Sequence, residues 1–135
     1  MTFKEFYTKI NAGSCYCLDF DDVSSVLMMY PASLVAIADG EFSHFERMNL
    51  LSALKEAASG NEFKMCEMYH LLCNLMLLDE GEKTELLNTI KEEIAERAEL
   101  KLIILQLMLS TAESEDGISD VEKYAIDNLK SILSI

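Results

Sequence analysis

Glycine and proline are scarce in this chain, and their positions decide what it can fold into. Gly13, Gly40, Gly60, Gly81 and Gly117 are the five glycines, and Pro31 is the one proline. Each glycine reads as a break between segments, none as an interior position. Between the breaks, apolar residues recur at i, i+3, i+4 and i+7. Phe45, Met48, Leu51, Leu54 and Ala58 form one such series, and Tyr69, Leu72, Cys73 and Met76 form another. Alternating strand patterns are missing. The expectation is an all-α protein, a single domain over residues 1–135 with about seven helices.

The pattern places a short helix over Thr2 to Ile10, with Phe3, Phe6, Tyr7 and Ile10 on one face, then a loop to Phe20. Residues 1–22 are thus an N-terminal helix and loop. Asp19, Asp21 and Asp22 lead into a second helix, where a carboxylate suits the orphan amides and the positive dipole end. That helix reaches about Ala38, kinked or split at Pro31. A third spans Phe45 to Ala58, and a fourth Glu62 to Leu78, ended by Asp79-Glu80-Gly81. From Glu82 to Glu113 no Gly or Pro occurs, too long a run for one helix of a compact domain, so two helices with a break between Lys91 and Ala98 are expected. The last helix begins after Ser119.

With 24 acidic against 11 basic residues and a net charge of −13, the chain lacks the clustered Lys and Arg that phosphate neutralisation needs. That argues against nucleic acid as a partner and disfavours anionic membrane surfaces. Lys4, Glu5 and Lys9 interrupt the start of the chain as no signal peptide would allow. Val23 to Ala38, the longest uncharged stretch, is too short to span a bilayer. The expected location is the cytoplasm, with no direct membrane insertion. Cys15, Cys17, Cys66 and Cys73 lack paired zinc-knuckle spacing and read as reduced, mostly packing residues. Met28, Met29, Met65, Met68 and Met76 read as core filling rather than a soft-metal site. Glu92, Glu93, Glu96 and Glu99 read as a solvated helical face.

Two segments resemble each other. Leu34 to Glu46 ends in Asp39-Gly40-Glu41-Phe42-Ser43-His44-Phe45-Glu46, and Ser110 to Glu122 ends in Asp116-Gly117-Ile118-Ser119-Asp120-Val121-Glu122. Both read as helix, Asp-Gly, an apolar residue, Ser-x-x-Glu and helix, which suggests a duplicated two-helix unit. The second copy is one residue shorter between its Asp and Glu. Aligned on Ser-x-x-Glu, it sets Glu115 rather than Asp116 opposite Asp39.

At these residues the chain resembles the tellurite-resistance protein B-like family, whose members carry an alanine-rich helix ending in Ala-Asp-Gly and an apolar-Ser-x-x-Glu helix start, twice. "AIADGEFSHFE" is a close match and "TAESEDGISDVE" a looser one. The resemblance spans residues 23–134. It implies two pseudo-symmetric helical halves, no established catalytic activity, and clustered motif carboxylates where divalent cations have been proposed to bind. By position those are Asp39, Glu46, Asp116 and Glu122, with Glu115 competing for the place of Asp116. Related domains occur at the membrane-side end of some DnaJ-type co-chaperones, which implies a protein partner, at a membrane-associated complex in those cases.

The motif also has a purely local reading. Ser-x-x-Glu is a capping box: Ser43 with Glu46 and Ser119 with Glu122 would each satisfy two orphan amides. Gly40 and Gly117 would supply left-handed helix ends, and Phe42 and Ile118 hydrophobic staples. The Asp before each Gly is not required by this reading, because a carboxylate at a helix C-terminus faces the negative dipole end. An EF-hand fails, since its first two ligand positions would be Val35 and Ile37. A cation held by carboxylates from separate loops would be calcium, magnesium or manganese rather than zinc. The functional expectation is a non-enzymatic binding or adaptor protein tuned by such a cation. A chaperone-system interaction domain is the alternative, and a metal-dependent hydrolase, with no evident nucleophile or base, the weaker third.

Overall fold

The segment from Phe20 to Ala36 is apolar around almost its whole circumference, and a helix of that kind must be covered on every side. In the computed structural model, which describes residues 2–13, 18–38, 40, 42–113 and 118–135 with the side chains of 11–13 excepted, it is the central helix. The elements are α1 (Phe3–Gly13), α2 (Phe20–Ala36), α3 (His44–Ala57), α4 (Glu62–Leu75), α5 (Glu80–Ile94), α6 (Ala98–Ala112) and α7 (Asp120–Leu133). No strand occurs among the described residues. The protein is all-α. Helix α2 touches each of the other six, and Val26, Leu27, Val35 and Ala36 are wholly shielded from solvent.

The closest partner of α2 is α6, and α3 and α7 each pack across both members of that pair. This is the pattern a duplicated helix pair would give, with α2–α3 opposite α6–α7. Helix α4 covers α2 and α3, while α1 lies on α2 and α5. As expected, Phe3 is buried and Phe6, Tyr7 and Ile10 pack against the core.

Several boundaries differ from the expectation. Helix α2 runs through Pro31 without splitting, although the proline leaves the Leu27 carbonyl without its helical donor. Buried Ser33 donates its hydroxyl to the Tyr30 carbonyl at 2.6 Å. Helix α1 continues to Gly13 rather than stopping at Ile10. Helix α4 ends at Leu75, and Asp79 belongs to the next element. Its side chain accepts from the Glu82 amide at 2.8 Å and caps α5. Gly81 therefore lies inside a first helical turn, where the capping bond tolerates it. The expected break near Lys91 to Ala98 falls at Ala95 to Arg97, after wholly buried Ile94. The run from Ala95 to Glu99 is exposed and has nothing to bury against the core.

The series from Phe45 is also only partly interior. Leu54 and Ala58 are buried and Leu51 half-buried, whereas Phe45 and Met48 are 55% and 50% exposed. Leu50, outside that series, takes a core position instead. Met28, Met29 and Met68 do fill the core. Among the described residues no helix is long and apolar enough to cross a membrane.

Two measurements test this architecture. Leu27→Ala should lower unfolding free energy by about 2–5 kcal/mol with an unchanged denaturant slope, because the cavity opens where several helices meet α2. Burial of the Tyr30 phenol, with the Glu80 carboxylate nearby, pushes its pKa from 10.0 up to about 12. The fold thus favours the neutral phenol. Stability is fully kept below pH 10 and falls as pH rises toward about 12. Urea midpoints across that window should fall less steeply in Tyr30→Phe.

Candidate functional site

Both copies of the motif close the capping box their residues predict. Ser43 caps α3: its hydroxyl accepts the Glu46 amide at 3.1 Å, and Glu46 Oε1 accepts the Ser43 amide at 3.0 Å. Ser119 and Glu122 do the same at the start of α7, with both bonds at 3.1 Å. Glu46 and Glu122 are buried at 4% and 7% exposure, so each carboxylate meets orphan amides in a partly desolvated place. Gly40 has φ +86°, the left-handed conformation expected of it, and donates to the Ile37 carbonyl at 3.1 Å. Phe42 is half-buried against the core, with the Arg47 guanidinium 5.3 Å from its ring centre.

A third corner of this kind escaped the Ser-x-x-Glu pattern. Asp19 accepts the Asp22 amide at 2.9 Å while Asp22 accepts the Asp19 amide at 3.1 Å, so Asp-x-x-Asp closes the same box at α2. The Asp22 backbone amide, with help from Lys64, holds the Asp19 carboxyl below its ordinary range. Lys64 Nζ lies 3.5 Å from Asp22. The spacing of two acids three apart before an apolar run was the signal for it.

The packing brings the two motif corners to one end of the molecule. Asn49 of α3 donates to Thr111 at 3.0 Å and Ser110 at 3.3 Å, fixing the start of α3 against the end of α6. The positions equivalent by duplication, Ala125 of α7 and Leu34 of α2, line one cleft of about 310 Å³ together. The C-terminal ends of α2 and α6 and the N-terminal ends of α3 and α7 therefore share a face. Equivalent residues behave alike there: Phe45 and Met48 of α3 are exposed, and so are their counterparts Val121 and Tyr124 of α7 at 49% and 74%.

Of the candidate ligands, Glu46 and Glu122 stand as caps at this end. Asp39, Glu115 and Asp116 lie outside the described residues, as does Gly117. No group of three His, Cys, Asp or Glu side chains poised to hold a metal ion occurs among the described residues. Cys15 and Cys17 also lie outside them, and Cys66 is exposed rather than packed because its side of α4 faces solvent. Cys73 is half-buried. Burial and its hydrogen bond to Cys73 push the Tyr69 phenol above its ordinary pKa. Glu92, Glu96 and Glu99 are exposed and Glu93 half-buried, as a solvated face requires.

Comparison of the chain with models of protein families, with curated proteins and with solved structures finds no match in any of the three.

Ser43→Ala and Ser119→Ala should each cost about 1 kcal/mol in urea unfolding, since each removes one amide acceptor and loosens the paired glutamate. Ser→Gly at either position should cost only a few tenths of that unit, because the cap geometry survives.

Proposed function

We propose that the protein is a non-enzymatic binding or adaptor protein whose motif end holds a divalent cation between the two Asp-Gly loops. The observation that carries this reading is the convergence of two duplicated corners on one face, fixed by Asn49 on Ser110 and Thr111. A cation there, taken by Asp39 and by Asp116 or Glu115, would relieve repulsion in a chain of net charge −13. It would also tie α2–α3 to α6–α7. Glu46 and Glu122 would support the loops by holding the caps from below. Oxygen donors and an acidic surround favour calcium, magnesium or manganese over zinc. A catalytic role is not proposed, since Glu46 and Glu122 are each committed to a backbone amide.

A second reading, a chaperone-system interaction domain, draws on the exposed Phe45, Met48, Val121 and Tyr124 at the same end. Thermal unfolding separates the two. The midpoint is read in chelator, then with each cation at matched ionic strength, for the wild type and Asp39→Asn. The cation reading expects a rise of several degrees for one ion, absent in Asp39→Asn. A small rise common to all ions is screening and leaves the corners as caps and docking surface.

A further inference from the structure

Helices α2 and α6 are equivalent by duplication and similarly apolar, yet they are not equally covered. Only Ile104, Met108, Thr111 and Ala112 of α6 are buried, while Leu102 and Ile103 are 54% and 45% exposed. Two large apolar side chains on its outward stripe are thus left without cover. The duplication shows what is missing. On the α2–α7 seam, α5 packs along both helices and contributes Leu87 and Lys83 to the cleft between them. In chain order α1 precedes α2 as α5 precedes α6. Among the described residues α1 packs on α2 and α5 and does not reach α3. The α3–α6 seam is left as an open groove of about 530 Å³, with Met29 of α2 in its floor.

We infer that this groove docks an amphipathic helix of a partner protein, one carrying Lys or Arg beside its apolar stripe. The shape comes from the α2–α7 seam, where a helix, α5, lies against both members. The charge comes from the rim. Glu56 lines the α3 wall. On α6 the outward stripe Glu99, Leu102, Ile103, Gln106, Ser110 and Glu113 follows helical spacing, and it is exposed, with a carboxylate at each end. Its one basic residue, Lys101, shares the face of Ile104 and Met108 instead. On α3, Lys55 shares a face with Met48 and Leu51, and Arg47 lies over Phe42. The two seams also differ as a permanent and a reversible contact should. The covered one has Leu34 and Ile132 where the open one has Ser110 and Glu56. A second copy of this chain is a poor occupant, because two such acidic rims would repel.

This inference deepens the binding-protein reading and rests on it, but it uses none of the motif carboxylates. Failure of the cation test leaves it standing, and its own failure leaves the cation test untouched. The probe is a synthetic amphipathic peptide of about four helical turns, leucines on one stripe flanked by lysines, with a twin in which glutamates replace the lysines. Fluorescence anisotropy is read on the full chain, on Ile103→Lys, on Glu56→Lys, and on Phe63→Lys, a charge added at an exposed α4 position away from the groove. Unfolding midpoints confirm that each variant is folded. The expected result is binding of the lysine peptide but not its twin, weakened about tenfold or more by Ile103→Lys and by Glu56→Lys and far less by Phe63→Lys. Three results overturn it: no binding of the lysine peptide, equal weakening by Phe63→Lys, which is general attraction to an acidic chain, or sedimentation as a dimer that Ile103→Lys dissociates, which makes a second copy the occupant.

Discussion

Burial of α2 is the constraint from which the rest of the structure follows. A helix carrying Val26, Leu27, Met28, Met29, Tyr30 and Val35 around its circumference has no face for water. The chain answers by wrapping six helices about it. Its packing against α6 is the most extensive of these contacts. Because α3 and α7 each bridge that pair, the two corners that begin them cannot separate without unpacking the centre. Position at the motif end is therefore inherited from apolar packing some distance from any carboxylate.

The corners show how an acidic chain can place acids inside without large electrostatic cost. Asp22, Glu46 and Glu122 are all buried, and each accepts the backbone amide of its own helix cap. Orphan amides and the positive helix end stabilise the charged form where bulk water is excluded. Three sharp entries into helices are fixed in this way, two of them by the duplicated motif.

The helices, the α5–α6 break and the caps at Ser43 and Ser119 were legible because each rests on local physics: periodicity, capping chemistry, limits on helix length. What misled was reading a boundary from residue type alone. Gly81 looked like a stop, yet a first helical turn capped by Asp79 accommodates it; Pro31 looked like a break, yet burial on all sides outweighs one lost hydrogen bond. The periodic series from Phe45 pointed inward from the sequence, but periodicity reports a face and not whether another helix lies against it. Phe45 and Met48 are exposed, as are their counterparts Val121 and Tyr124. The unequal cover of α2 and α6 was invisible for the same reason, since it depends on which helices pack across each seam.

The central place of α2 has a consequence for how the protein comes into being. Helix α2 is made before its principal partner, which begins only at Ala98. At roughly 5–20 residues per second, that separation leaves this apolar helix without its main cover for roughly 3–12 s of synthesis. Helices α3 and α4 shield part of it in that interval, so the nascent chain passes through a half-built state with one greasy flank bare. The order of elements along the chain thus leaves the flank of α2 that α6 covers open until the second half has been made.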